Sequence, residues 1–386
     1  MRILILLNSI RVSGTERLMI ALSQKFEMTG DQVYLFPLIT PFDTRFKNSL
    51  ERNEKKLNFI FPKYIERFDW FFWKLNGLTT SLFNWSIRSF LLAKFVERVC
   101  KKKNIEIIVS NSYPTDVFVL PIVTKTSIPL VVVDHGSYSY YDLAKTPFSR
   151  RTLDSCNAVV GVSNWVVQRL QLLNLNKSIN LIHNGHVSIE SGLDFPFRDQ
   201  LVSKSHFVFC MHGRGSDQKG WDIAIKAYQL VKSKGYKIKL ILLSEGVIID
   251  NLKEENGNDP DLIFGGFIYN LGDVFEYVNA GLVLSKKYEA FGLVVLDYFS
   301  KGIPVVASNL DGLSQVMKFE NVTGGLLVDL DDSGAPIVDE VVKAMESLLI
   351  DENLYHSLSQ GGKAITNHFS LDKCAFNYRE IFQSLV

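Results

Sequence analysis

The sequence predicts an α/β protein of two doubly wound domains, each a parallel sheet wrapped by helices, the two facing a cleft. Three observations lead there. Short apolar runs alternate with longer stretches of helical periodicity, the pattern of βα units around parallel sheets. The 386 residues exceed one ordinary domain of roughly 100–200 residues and suit two. The strand candidates form two sets of six, parted by a polar stretch at Gly192–Ser205 that contains Pro196.

In the first set each run is short enough for a strand and apolar enough to be buried on both faces: Ile3–Leu7, Val33–Pro37, Ile105–Ser110, Leu130–Val133, Ala158–Val162 and Asn180–His183. The second set is Phe207–His212, Lys239–Leu243, Leu262–Phe264, Gly281–Ser285, Pro304–Ala307 and Gly325–Val328. The expected domains are therefore residues 1–192 and 193–370, with a final helix at about 371–386 packing back on the first.

Composition and charge narrow the classes. Hydrophobic residues make up 47% of the chain and charged residues 22%, enough apolar surface to offset the entropy of folding. The net charge of +1 hides an asymmetry: the first 190 residues carry 24 Lys and Arg against 15 Asp and Glu, the rest 18 against 26. A basic first lobe suits anionic lipid headgroups or a phosphate-bearing acceptor, and the overall balance argues against nucleic-acid binding. The cysteines Cys100, Cys156, Cys210 and Cys374 are scattered, with no CxxC pair. The expectation is reduced thiols in the cytoplasm and no metal. No run of about 20 apolar residues is present to span a bilayer, and Ile3–Leu7 is too short for the core of a signal peptide.

Residues 59–95 break the alternation. Phe59, Phe61, Tyr64, Phe68, Trp70, Phe71, Phe72, Trp73, Phe83, Trp85, Phe90 and Phe95 are interleaved with Lys63, Arg67, Lys74, Arg88 and Lys94. Rings among basic residues fit the boundary between headgroups and acyl chains, so peripheral contact with a membrane surface is one expectation. A helical insert whose rings fill the core is the other.

Three strand-to-helix turns carry the chemistry. The first strand runs into Ser13-Gly14-Thr15-Glu16-Arg17, where Gly14 lets a phosphate approach backbone N–H groups at a helix start; a plain turn fits the same residues. It is not a GxGxxG and lacks the acidic ribose reader roughly 20 residues on, which counts against a dinucleotide-dependent oxidoreductase. The second turn, Gly213-Arg214-Gly215-Ser216-Asp217-Gln218-Lys219-Gly220-Trp221, brackets a planar cation and a point charge with glycines, a clamp for a diphosphate or a solvated basic turn. The third, Ser285 to Asp297, carries Glu289 in a loop with a helix expected near Phe291. It points a carboxylate and free N–H groups to the carboxyl ends of the strands, where open α/β sheets bind ligands. Asp297 follows Glu289 by eight positions, about two helical turns, so both carboxylates are expected to face one ligand.

The order Gly213-Arg214…Lys219-Gly220, then Phe264-Gly265-Gly266-Phe267, then Glu289-Ala-Phe-Gly292-Leu, then Gly302-Ile-Pro-Val-Val-Ala-Ser308 resembles the retaining GT-B glycosyltransferases of family 4, which have two Rossmann-like domains. Ser13-Gly14-Thr15-Glu16-Arg17 resembles that family's Gly-Gly-x-Glu-Arg loop, His135-Gly136 its first-lobe His, and His183-Asn184-Gly185 its Asn-Gly turn. The resemblance implies that Arg214 and Lys219 neutralise a leaving nucleoside diphosphate with backbone near Gly14 and Gly213. It implies that Glu289 holds the donor sugar, that Phe291, Gly292 and Leu293 offer backbone N–H groups, and that His135 sits near the sugar's reacting face. Ser244, Glu245, Phe267 and Ile268 would border the base, and Asp297 the ribose. Two positions depart from the family pattern: Asp297 stands where a Glu is usual, and Ser13 where a Gly is usual.

The implied reaction moves a hexose from a UDP-sugar, UDP-glucose or a relative, to a glycan or lipid-linked acceptor with retention and without metal or cofactor. No Asp-x-Asp triplet of the metal-using type is expected. The alternatives are a nucleotide-sugar-binding protein without turnover and an inverting GT-B transferase.

Overall fold

The computed structural model describes residues 1–9, 14–39, 57–60, 81–138, 147–189, 191–192, 194–202, 205–268 and 271–386. The chain divides into two compact units, residues 1–185 with 371–386, and residues 186–370. The division falls before the 192/193 boundary expected from composition. The chain already belongs to the second unit at His186, whose N–H donates to the Phe369 carbonyl at 2.7 Å and which bridges to Ser370.

In the first unit, β1 (Arg2–Ser9), α1 (Gly14–Met28), β2 (Gln32–Ile39), α2 (Ser81–Lys103), β3 (Ile107–Ser110), α3 (Tyr113–Thr126), β4 (Leu130–Asp134), α4 (Pro147–Ser155), β5 (Ala158–Gly161), α5 (Asn164–Gln171) and β6 (Ile179–Leu181) follow in order. The strands form one parallel sheet ordered β2-β1-β3-β4-β5-β6. Ile3 to Leu7 are buried throughout, because helices cover both faces; that is why the run is continuously apolar and not alternating. Pro37 sits in β2, an edge strand, where its missing N–H leaves no gap in the ladder. Leu18, Leu22 and Phe26 turn the apolar side of α1 inward. The last helix docks on that side: Phe382 meets Phe26 edge-on at 5.6 Å, and Lys25 pairs with Asp372 at 2.6 Å.

Of the aromatic run at 59–95, residues 61–80 lie outside the described residues. Phe95 packs against Phe36 with ring centres 6.4 Å apart, whereas Phe90 is 57% exposed. Among the described residues, no helix is long and apolar enough to cross a membrane.

In the second unit, β7 (Phe207–His212), α6 (Trp221–Ser233), β8 (Ile238–Leu243), α7 (Val247–Asn256), β9 (Leu262–Phe264), α8 (Leu271–Phe275), β10 (Ala280–Val283), α9 (Leu293–Ser300), β11 (Val305–Ser308), α10 (Asp311–Met317), the short pair β12 (Lys318–Phe319) and β13 (Val322–Thr323), β14 (Gly325–Val328), α11 (Val338–Ile350) and α12 (Glu352–His368) follow; α13 (Leu371–Leu385) returns to the first unit. The parallel sheet is ordered β14-β11-β10-β7-β8-β9. Trp221 and Tyr228 of α6 and Tyr298 of α9 are buried, and the Tyr298 hydroxyl donates to the Cys210 carbonyl of β7 at 2.8 Å. Each unit is thus a doubly wound sheet.

Candidate functional site

β10, β7 and β8 are neighbours in the second sheet, and a glycine of positive φ heads the helix that follows each: Gly292 (φ 93) before α9, Gly220 (φ 74) before α6 and Gly246 (φ 119) before α7. No side chain caps any of the three helices. Their first-turn N–H groups meet no capping side chain, although that of Val295 donates to the Gly292 carbonyl at 2.9 Å, and with the positive dipole ends they make an arrangement that favours an anion.

Beside these ends lies an ion pair. Lys219 Nζ stands 2.5 Å from Glu289 Oε2, and the Ser285 hydroxyl donates to the same oxygen at 2.9 Å. The side chains are only 14% and 20% exposed. Burial pushes the Glu289 carboxyl up, but the charge and hydrogen bond of Lys219, the Ser285 hydroxyl and the Arg214 guanidinium outweigh it, and its pKa lies below the ordinary value of 4.5. Arg214 itself is exposed, and its carbonyl accepts the Trp221 indole N–H at 3.2 Å.

The loops that carry the pair are zipped together. Lys286 N–H donates to the Gln218 carbonyl at 2.7 Å, the Gln218 amide to the Tyr288 carbonyl at 3.1 Å, and Lys286 Nζ reaches Asp217 and Asp222 at 3.0 and 2.9 Å. Three glycines allow the closeness. A Cβ on Gly220 would stand 2.1 Å from the Leu284 carbonyl oxygen, one on Gly312 1.9 Å from that of Glu289, and one on Gly215 2.2 Å from that of Glu245. In the sequence Ser285 reads only as a strand end, and no local signal marks Gly312, because its partner is remote in the chain.

Ser244 donates to the Gly213 carbonyl at 2.8 Å and fixes the turn at the end of β7. Glu245 is exposed, and Phe267 and Ile268 are half-buried after Gly266 (φ 70). The helix expected near Phe291 begins at Leu293. Phe291 is buried and meets Phe369 edge-on at 5.5 Å, so its ring belongs to the packing. Because that helix begins only at Leu293, Glu289 lies in the loop outside it, and the eight positions to Asp297 are not two helical turns. Asp297 is 4% exposed, and its two oxygens stand 3.9 Å from the imidazoles of His186 and His212.

Two Asp-x-Asp triplets do occur, which corrects the expectation of none: Asp259-Pro260-Asp261 and Asp329-Leu330-Asp331. Lys232 pairs with both acids of the first, at 2.6 and 2.8 Å. Asp329 accepts from the Asn309 amide at 2.8 Å, and Asp331 accepts N–H groups of its own turn.

Gly14 and His135 belong to the first unit. Gly14 is exposed at the start of α1. His135 follows β4; burial pushes its imidazole down to about 4, so it is neutral at pH 7. Its Nε2 is buried with no hydrogen-bond partner among the described residues.

The chain matches the family Glycosyl transferases group 1 over residues 195–365 and Glycosyltransferase Family 4 over residues 12–186. An uncharacterized glycosyltransferase of Methanocaldococcus jannaschii is 22% identical over 302 residues, 76% of this chain and 79% of that one. The N-acetyl-alpha-D-glucosaminyl L-malate synthase of Bacillus anthracis is 20% identical, over 86% and 87% of the two chains. Among solved structures, Anabaena HepE in complex with UDP and glucose superposes with a TM-score of 0.76 at 17% identity, covering 100% of both chains. The fold is therefore GT-B, two Rossmann-like domains. The chain belongs to the family 4, group 1 glycosyltransferases and is a transferase of that class.

Proposed function

We propose that the chain moves a hexose from a UDP-sugar, with UDP-glucose as the first candidate, to a glycan or lipid-linked acceptor, with retention, in the building of a surface polysaccharide. The observation that carries it is the Lys219–Glu289 pair beside the uncapped helix starts. Glu289 holds a hydroxyl of the donor sugar, while Lys219, Arg214 and backbone N–H groups take up the charge that develops on the departing diphosphate, in place of a metal. The bond from the anomeric carbon to the phosphate oxygen breaks, the acceptor oxygen bonds the same face, and its proton passes to the leaving phosphate. His135, as a neutral imidazole, serves the reacting face of the sugar. Support for the donor comes from the Anabaena protein, solved with UDP-glucose. Support for the product comes from a capsular polysaccharide biosynthesis glycosyltransferase of Staphylococcus aureus, 26% identical over 55% of this chain and 57% of that one.

A UDP-release screen over nucleotide sugars, repeated with Glu289→Gln, tests the site. The variant is expected to lose at least about tenfold in kcat/KM with the best donor, the scale of one charge-assisted hydrogen bond; full activity would remove Glu289 from the site.

We place the protein in the cytoplasm, which its four buried thiols support, with a membrane-surface contact through residues 59–95. Exposed Phe90 and Leu91 on α2, with Lys94 over the Phe90 ring at 5.0 Å, support the contact. Flotation on vesicles of anionic and neutral lipid is expected to weaken when Trp70, Phe71 and Trp73 are made polar; unchanged flotation would rule that segment out.

A further inference from the structure

The turn that carries His135 is held by a buried chain of acids and a phenol. β4 ends on Asp134, 1% exposed, whose Oδ1 accepts the N–H of Gly136 at 3.0 Å and of Tyr138 at 3.1 Å. Those bonds, with Gly136 at φ 108, close residues 134–138 into a fixed turn. Tyr138, 2% exposed, donates its hydroxyl to Asp116 Oδ2 at 2.7 Å. Asp116 is fully buried in the first turn of α3, where the helix dipole favours a carboxylate. Its carbonyl accepts the Thr152 hydroxyl of α4 at 3.1 Å. The rings of Tyr113 and Tyr138 meet edge-on with centres 6.2 Å apart. One turn is thus anchored to β4, α3 and α4.

Two neighbouring buried carboxylates are a costly way to hold a turn, since desolvation penalises each charge and each repels the other. Burial pushes Asp116 up to about 7, and Asp134 adds to the rise. An apolar plug would pack the same space without that cost. What the network supplies is direction. His135 is the residue inside the turn, and its Nε2 makes no hydrogen bond among the described residues, so the turn's backbone fixes the point from which its ring projects. We propose that Asp116 is a positioning residue for His135, acting through Tyr138 and the turn held by Asp134. The functional weight of this rests on the role given to His135 above; the positioning itself does not.

The test uses the full chain with 15N-labelled histidine, the His135 ring signals being assigned by their loss in His135→Gln. Tyr138→Phe keeps the ring and removes the bond to Asp116. Its His135 resonances are expected to move, and kcat for UDP release from UDP-glucose to fall about tenfold with the donor KM and the Kd for UDP unchanged. A misplacement of about 1 Å is worth up to about a hundredfold. Asp116→Asn, which keeps an acceptor for the Tyr138 hydroxyl, is expected to leave both readouts close to wild type. Resonances that stay in place in a cooperatively melting Tyr138→Phe overturn the proposal and leave the network a structural one. Should that variant not fold, Asp116→Ala decides by the same resonances. Full turnover by His135→Gln would instead sink the role of His135, which the resonance shift, read without turnover, keeps separate.

Discussion

Lys219→Ala is expected to lower UDP release from the best UDP-sugar at least about a hundredfold, the scale for losing one preorganised donor at a developing negative charge. The same change strips Glu289 of the partner at 2.5 Å that offsets its burial. With Lys219 in place the carboxyl titrates below 4.5, so the pair's contribution to stability is fully present above that value and is lost as pH falls through the folded pKa. Without Lys219 burial dominates, although Ser285 and Arg214 still oppose it, and the carboxyl titrates higher. The acid limb of both melting temperature and residual activity should therefore move to higher pH. The two effects separate the roles of Lys219: a lost rate with an unmoved acid limb would mean that Lys219 serves the phosphate alone. A rate within about threefold of wild type would deny it the charge-stabilising role altogether.

The inner strands were legible because they are buried on both faces, which the edge strand β6, with Leu181 39% exposed, is not. Runs such as Phe207–His212 and Leu262–Phe264 are bounded by polar or glycine residues, and a parallel sheet under two helical layers demands that pattern. Strand ends were less so: Gly281–Ser285 resolves into Ala280–Val283, since the apolar run continues through Leu284 into the loop. Within the site, Lys219 and Glu289 were legible as residue types at strand ends, but their contact was not, because it joins positions 70 residues apart. The two imidazoles beside Asp297 come from the start of the second unit and the end of β7, and only the folded register brings them there. Asp116, Tyr138 and Asp134 stayed silent for a related reason. Each alone reads as a helix-start acid, an aromatic and a strand-end acid, and the chain they form depends on the fold bringing the start of α3 to the turn after β4.

Gly220→Ala is expected to abolish most turnover while Gly235→Ala leaves it untouched, although both glycines have positive φ, 74 and 90. At either position a side chain in the left-handed region costs roughly 1–2 kcal/mol. Nothing lies within 4 Å of a Cβ built on Gly235, so that is the whole effect there, visible as a lowered denaturant midpoint with normal kinetics. On Gly220 the Cβ would stand 2.1 Å from the Leu284 carbonyl oxygen, backbone that cannot swing aside as a side chain could. Relief requires the loop after β7 to part from the end of β10. That motion pulls Lys219, one residue away, from Glu289, four residues beyond Ser285. A displacement of about 1 Å between groups that must act together can cost about a hundredfold in rate, and overpacking adds about 1–3 kcal/mol of instability to the strain shared with Gly235. The comparison isolates the clash, because the conformational penalty is common to both variants. If Gly220→Ala proved no less stable and no less active than Gly235→Ala, the close approach of the two loops would not be what holds the ion pair, and Gln218 and Lys286, which bond across the same seam, would have to carry the alignment alone.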